Sequence, residues 1–213
     1  MHSRDRSQPR SRHLLPPLPG TGAPRRGLFV GRSSALLQLP DRARLPEFTP
    51  SLFTPGAVDA LFRIQHLAWN VYLVGNEPAV AHGRATDEQW QTFERALLAH
   101  LAGQGLRILR NYVCLDSADG KGRHKRDSVF EFPNTGVFYH AAQEDGIRLG
   151  ESWLVSDDVH ELAAGWRAGT RVASVRISGT ACTGELTVEP QLASASLTHL
   201  LRELAETDEY ARR

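Results

Sequence analysis

Short apolar runs alternate with amphipathic helical patterns along most of the chain. The run at residues 28–30 ends at a glycine, as a buried parallel strand does. Strands are predicted at residues 28–30, 71–74, 106–113, 153–155 and 171–177. Because a helix that connects two strands of one sheet makes those strands parallel, the pattern predicts an α/β fold: a Rossmann-like three-layer α/β/α sandwich with a mostly parallel sheet.

Helices are predicted in the segments between these strands. The clearest begins after Thr86, because Thr86 and Gln89 have the spacing of a capping box. The others are predicted at residues 55–67, 136–145 and 160–164, and a last one carries Leu197, Leu200, Leu201 and Leu204. Ligands of such sheets bind beyond the carboxyl ends of the strands. Functional residues are therefore expected just after Val30, Val74, Val113 and Val155.

The charges of the 213 residues are unevenly distributed. Residues 1–26 contain six arginines and one acid, a formal charge of +5, and the remainder carries −4. We expect a flexible Arg- and Pro-rich arm at 1–26 and one domain at 27–213. The arm is interpreted as a solvated tail, with a partner-binding or nucleic-acid-binding arm as the alternative. The acidic domain itself predicts no nucleic-acid partner.

The cellular location is predicted from what the sequence lacks. No apolar stretch approaches the roughly 18–20 residues that cross a membrane, and the first residues are too rich in Arg and Pro for a signal peptide. Two cysteines, Cys114 and Cys182, are too few for a disulfide framework. We therefore expect a soluble cytoplasmic protein without a membrane partner.

Four segments carry a resemblance to a known family. Residues 52–61, 75–83, 133–136 and 152–169 resemble, in order and spacing, the haloacid-dehalogenase-like phosphatases, and among them the D,D-heptose 1,7-bisphosphate phosphatase and histidinol-phosphatase group. The resemblance covers about residues 27–204, and the size of about 187 residues left after the arm matches a domain of this kind without a large cap. The resemblance implies covalent phosphoryl transfer, with an Asp nucleophile, an Asp acid/base two residues later and Mg²⁺.

The positions that match the family's reacting groups hold other residues. Gly31 stands where the resemblance places the nucleophile, and Ser33 stands where it places the acid/base. Gly75 replaces a phosphate-binding Thr or Ser, Asn76 retains the amide that follows, and Phe132 replaces a phosphate-binding Lys. We expect no catalytic residue at Gly31 or Ser33 and weakened phosphate binding at the other three positions.

Two metal sites of the family are also altered. Asp157 matches the metal-binding Asp, and Glu161 stands at the second acidic position, so Mg²⁺ is possible there. The alternative is that these acids only stabilise a helix N-terminus. Of the four zinc ligands, Cys114 alone is retained, and zinc is not expected; the other three positions hold Asp116, Ser128 and Phe130, with His124 nearby in the loop.

Three weaker candidates remain. Ser33 or Ser34 could be a substitute nucleophile, but the sequence delivers no evident base to them. His82 could contact a ligand or could be an ordinary loop histidine. The basic cluster at residues 120–126 could bind phosphate, although in a polar loop at residues 117–128 it is more typical of a solvated surface.

The sequence thus favours a phosphatase-like protein that has lost its hydrolase chemistry and acts by binding or regulation. Its partner would be a protein or a phosphorylated small molecule. The alternative is a Mg²⁺-dependent phosphatase, acting on a sugar bisphosphate or histidinol phosphate, with atypical residues in its active site.

Overall fold

The computed structural model describes residues 26–67, 69–177, 180–183 and 186–211. Eight strands are present in this part of the chain: β1 (Gly27–Gly31), β2 (Asn70–Asn76), β3 (Ile108–Cys114), β4 (Trp153–Ser156), β5 (Arg171–Val175), β6 (Ala181–Thr183), β7 (Leu186–Val188) and β8 (Leu192–Ser194). Six of them form a parallel sheet in the order β3-β2-β1-β4-β5-β8. The predicted parallel sheet is confirmed. An antiparallel hairpin of β6 and β7, which the sequence analysis did not predict, lies apart from this sheet.

The helices occupy the connections between the strands. They are α1 (Ala57–Gln65), α2 (Pro78–Ala81), α3 (Asp87–Gly103), α4 (Gly136–Asp145), α5 (Val159–Arg167) and α6 (Leu197–Ala211). The capping box of α3 is confirmed, since Thr86 and Gln89 each accept a hydrogen bond from the other's backbone N–H. A π-helical turn at Arg32–Leu36, directly after β1, was not predicted.

Two hydrophobic clusters cover the two faces of the sheet. One contains the buried faces of α1, α3 and α6, including Leu61, Phe93 and Leu200. The other contains those of α4 and α5, including Phe138 and Leu162. Helices therefore lie on both faces, and the predicted three-layer α/β/α sandwich is confirmed.

The register of the sheet brings the ends of its three central strands together. Gly31 pairs with Val74 of β2, and Val30 pairs with Val155 of β4. Gly31, Gly75 and Ser156 consequently meet at one edge, where ligands of such sheets bind. The chain that follows the π-helical turn continues beyond this edge and returns through a bridge between Leu37 and Phe53.

Three expectations concern the ends of elements and of the chain. The predicted arm lies outside the described residues except for Arg26, whose Nη2 donates to the carbonyl of Leu67 at 3.0 Å. The strand predicted at 171–177 ends two residues earlier, at Val175, because Arg176 has a left-handed backbone with φ of 64°. Within the described ranges, no helix combines the length and apolar character needed to cross a membrane.

Candidate functional site at the strand ends

Gly31 ends β1 at the centre of the site, and its surroundings leave no room for a side chain. A Cβ atom placed on Gly31 would overlap Ser34 Oγ and would lie 2.5 Å from Glu161 Oε2. The backbone conformation is not what requires glycine here, because φ is negative at −58°. The packing of Ser34 and Glu161 therefore excludes any larger residue unless both move.

Glu161 occupies the space between the strand ends. Its Oε2 accepts a hydrogen bond from Ser34 Oγ at 2.6 Å and lies 2.6 Å from Ser156 Oγ, while the two serine oxygens are 3.0 Å apart. All three residues are buried, and Glu161 is only 5% exposed. Burial, together with the neighbouring carboxylate of Asp158, raises the pKa of Glu161 to about 8. The carboxyl group is therefore predominantly protonated at neutral pH.

The contact between Glu161 and Ser34 is not evident from the sequence. No base was expected near Ser33 or Ser34, but the carboxyl group of Glu161 lies within hydrogen-bond distance of Ser34. A carboxyl group must be ionised to take the proton of a hydroxyl nucleophile, and Glu161 is predominantly protonated at neutral pH. Ser34 is only 2% exposed, so no substrate reaches it in this arrangement. Ser33 Oγ is also buried and has no hydrogen-bond partner among the described residues.

Asp157 lies at the mouth of the site and is bound by two arginines. Arg42 Nη2 donates to both of its carboxylate oxygens, at 2.8 and 2.7 Å. Arg176 donates to Oδ2 from Nε at 3.0 Å and from Nη2 at 2.6 Å. Asp158, the next residue, caps α5 by accepting hydrogen bonds from the backbone N–H groups of His160 and Glu161.

The resemblance implies a magnesium ion at Asp157 and Glu161, but the side chains present there do not suit one. Both oxygens of Asp157 already accept guanidinium N–H groups, and Glu161 is a buried, predominantly neutral acid that hydrogen-bonds to serines. Gly31 supplies no carboxylate. Across the described part of the chain, no group of three or more His, Cys, Asp and Glu residues could hold a metal. Mg²⁺ binding by Asp157 and Glu161 therefore stays a prediction, and the hydrogen bonds that these two acids already make do not fit it.

The three positions assigned to phosphate binding do not form an anion site. Asn76 donates from Nδ2 to the carbonyl of Phe132 at 3.2 Å, and its Oδ1 accepts from the Phe132 N–H at 3.0 Å. The ring of Phe132 is buried in the cluster beneath α4 and α5. Gly75 lies beside Glu161, whose Oε1 would be 3.5 Å from a Cβ added there. The amide of Asn76 therefore fixes the backbone turn at Phe132 instead of facing a ligand.

A buried ion pair lies next to the site. Arg32 Nη2 is 2.5 Å from Glu77 Oε2, and the two side chains are 1% and 3% exposed. The guanidinium also lies 4.7 Å from the centre of the Trp90 ring. Arg32 Nε and Nη1 have no hydrogen-bond partner among the described residues. Arg32 therefore belongs to the core beneath α3 and is not available to a ligand.

The loop that the resemblance assigns to zinc is held by charged side chains. His124 Nδ1 is 2.9 Å from Asp116 Oδ1, and His124 Nε2 is 3.1 Å from Asp87 Oδ1 at the start of α3. Arg126 binds Asp116, and Arg123 binds Asp87. Burial raises the pKa of the Cys114 thiol, which donates to the Asp116 carbonyl at 3.3 Å. The Phe130 N–H donates to Ser128 Oγ at 3.2 Å, and the Ser128 carbonyl accepts from Asn134 Nδ2 at 2.9 Å.

The two remaining candidates lie outside the strand-end site. His82 is half-buried at the end of α2, where its backbone N–H donates to the carbonyl of Pro78. The basic cluster lies on the exposed loop and includes a 3₁₀ turn at Gly122–His124. Arg123 and Arg126 of this cluster are paired with the acids described above. The loop at residues 117–128 is mostly exposed, as predicted; the exceptions are the buried Gly120 and the half-buried Ser117, His124 and Ser128.

Comparisons with known proteins agree with this fold. The chain is 29% identical over 133 residues to the D-glycero-beta-D-manno-heptose-1,7-bisphosphate 7-phosphatase of Haemophilus influenzae, over 62% of this chain and 72% of that protein. Its fold matches D,D-heptose 1,7-bisphosphate phosphatase from B. bronchiseptica, solved with magnesium and phosphate: the TM-score is 0.70 at 19% identity, covering 85% of this chain and 99% of that one.

A candidate HAD-like phosphatase from Mesorhizobium loti has a TM-score of 0.68 at 21% identity and covers 86% of this chain and 87% of that chain. No family model matches the chain. The chain therefore has the haloacid-dehalogenase-like fold, and its sequence resembles the heptose bisphosphate phosphatases.

Proposed function

We propose that this chain is a phosphatase-like protein that no longer transfers phosphoryl groups and that acts by binding. The observation that carries the proposal is Gly31, which ends β1 where the resemblance places an Asp nucleophile. Glycine has no atom that can attack phosphorus, and Ser34 with Glu161 fills the space of a side chain. A covalent aspartyl-phosphate mechanism therefore has no nucleophile at this position.

The charges of the site support the same proposal. Phosphoryl transfer needs positive charge to stabilise its transition state. The lysine position holds the buried ring of Phe132, and both arginines at the mouth are bound to Asp157. At the centre lies a carboxyl group that repels phosphate when ionised. Among the described residues of the site, glycine stands at the nucleophile position, and Arg32, Arg42 and Arg176 are all paired with carboxylates. These two features support the proposal.

A second candidate is favoured by the similar proteins. The Haemophilus influenzae protein is named a heptose bisphosphate phosphatase, and the matching structure from B. bronchiseptica holds magnesium and phosphate. On these grounds, the chain would be a Mg²⁺-dependent phosphatase acting on a sugar bisphosphate or histidinol phosphate. Its nucleophile would then be a group other than residue 31.

The binding partner belongs to the proposal as well. We propose a protein or a phosphorylated small molecule, in the cytoplasm, without nucleic-acid or membrane partners. A thermal-shift screen with phosphorylated sugars, matched against the unphosphorylated sugars, tests the small molecule. A pull-down with the full chain that retains a stoichiometric protein tests the other class.

Phosphate release decides between the two candidate functions. The full chain is incubated with heptose 1,7-bisphosphate or histidinol phosphate and Mg²⁺, beside an Asp157→Asn variant. We expect both proteins to release no phosphate above the buffer control. Release by the parent chain that is abolished in Asp157→Asn would overturn the proposal and support the phosphatase.

A further inference from the structure

Asp157 is reached by two arginines from different parts of the chain. Arg42 comes from the segment between the π-helical turn and α1, and Arg176 follows β5. We propose that these two guanidinium groups take the place of a divalent cation at Asp157, so that the chain closes its strand-end site without a metal. The inference rests on the proposed function, because a Mg²⁺-dependent phosphatase would need Asp157 free.

The chemistry of the contacts matches that role. A guanidinium is charged at every physiological pH, and it offers several N–H donors to a carboxylate. Arg176 binds Asp157 through both Nε and Nη2, and Arg42 Nη2 reaches both oxygens. The side chain of Asp157 is left only 10% exposed. Two positively charged groups thus pair with the one carboxylate, through N–H···O contacts of 2.6–3.0 Å.

The backbone of Arg176 supplies an independent observation. Its φ of 64° is in the left-handed region, and Arg176 is the one non-glycine residue with positive φ in the described ranges. A side chain there carries a steric cost that glycine avoids. The conformation directs the guanidinium to Asp157 and to the carbonyl of Ser34, which accepts from Nη2 at 2.7 Å. Because this backbone conformation favours glycine, an arginine here indicates that the hydrogen bonds of its guanidinium offset the steric cost of the left-handed backbone.

The other arginine fastens a loop over the site. Residues 38–49 connect the π-helical turn to the 3₁₀ turn at Pro50–Leu52, and Arg42 links this loop to Asp157. Arg84 holds the same loop through the carbonyl of Ala43 at 2.8 Å. Arg42, Asp157 and Arg176 therefore join the loop, the end of β4 and the end of β5. A metal ion joins separate parts of a chain by binding a ligand from each of them. Here the two arginines make the same kind of connection through their hydrogen bonds to Asp157.

The first test is thermal unfolding of the full chain with and without Mg²⁺. Against NaCl of equal ionic strength, we expect Mg²⁺ to leave the midpoint of the parent chain and of Asp157→Asn unchanged. A rise in the parent that is absent in Asp157→Asn would overturn the inference. Such a rise without phosphate release would leave the proposed function standing, so the two can fail separately.

The second test is Arg176→Gly, which relieves the backbone strain while removing the guanidinium. If the arginine compensates for its strain by binding Asp157, the midpoint falls, by about 2–4 °C or more in a domain of this size. An unchanged or higher midpoint would overturn the inference. Gly146→Ala, which strains a different left-handed residue with nothing near its Cβ, shows the size of a pure backbone effect.

The third test uses hydrogen exchange and does not depend on the variant's overall stability. In Arg42→Gln, backbone amides of the loop at residues 43–49 should exchange faster than in the parent chain. Arg44→Gln is the matched control, because Arg44 lies on the same loop and is 82% exposed beside Asp41. Equal exchange in the two variants would show that the contact with Asp157 does not hold the loop.

Discussion

The strand-end site and the loop at residues 117–128, which Asp116 precedes, differ in the groups that occupy the positions of the missing metal ligands. The resemblance assigns a metal to each. At the strand ends, a predominantly neutral Glu161 lies among buried serines, and arginines hold Asp157 at the mouth. In the loop, His124 lies between Asp116 and Asp87, and these three side chains are 13–28% exposed, against 5% for Glu161.

Burial explains the difference between the two regions. A buried carboxylate is destabilised unless it is protonated or closely paired with a positive charge. Glu161, whose neighbours are the hydroxyl groups of Ser34 and Ser156, is therefore predominantly protonated. Near the surface, water and salt screen charges, and several ion pairs can coexist at small individual gain. Changes at the strand ends should therefore alter stability much more than changes in the loop.

The largest effect is expected from the ionisation of Glu161. Its pKa is about 8 in the folded chain, above the ordinary value of a glutamic acid, so the folded state holds this proton more tightly than the unfolded state. The resulting stability is fully present below the unfolded pKa, whose ordinary value is 4.5, and is lost progressively as pH rises from there through about 8. Between these two pH values the loss approaches about 1.4 kcal/mol for each pH unit, and it levels off above 8.

Urea unfolding at pH values from 5 to 9 measures this loss, with Glu161→Gln as the comparison. Gln is neutral throughout and can still hydrogen-bond to Ser34 and Ser156, so its curve should be flatter than that of the parent. Glu94, whose pKa burial also raises, contributes equally to both proteins and cancels in the difference. Parallel curves would show that Glu161 is ionised in the folded chain.

The sheet and helices were predictable because their signals are local. Thr86 and Gln89 are three residues apart, and the apolar runs of β1 and β2 end at turn residues. The hairpin and β8 were missed because strands of three residues are too short for a periodic pattern. The positions of Gly31, Gly75 and Ser156 at one edge followed from the parallel sheet alone.

The contacts within the site were not predictable, because they join residues that are distant in sequence. Glu161 meets Ser34 across 127 positions, and Arg42 meets Asp157 across 115. Comparison with the similar family shows from the sequence which carboxylates are missing. It does not show that Ser34 and Glu161 occupy the space beside Gly31, because that depends on tertiary packing. Asn76 illustrates the limit: its amide is retained, yet it binds the backbone of Phe132.

The second-largest loss of stability is expected from Gly31→Ala. The new methyl group would overlap Ser34 Oγ and approach Glu161, so buried hydrogen bonds must shift. We expect a loss of about 1–3 kcal/mol of unfolding free energy, as for overpacking of a core. Gly103→Ala at the end of α3 is the matched control, because its Cβ meets nothing within 4 Å and it should be neutral or slightly stabilising. Equal effects would mean that the strand ends are not closely packed.

The smallest effect is expected from His124→Gln in the loop. The change removes the imidazole that lies between Asp116 and Asp87, while Arg126 and Arg123 still pair with those acids. We expect a loss of about 1 kcal/mol or less that shrinks in high salt, together with faster amide exchange confined to residues 117–126. Lys125→Gln, at the exposed neighbouring position, should change neither quantity. A loss as large as that of Gly31→Ala would remove the distinction between the two regions, because it would mean that the loop network is as strongly desolvated as the strand ends.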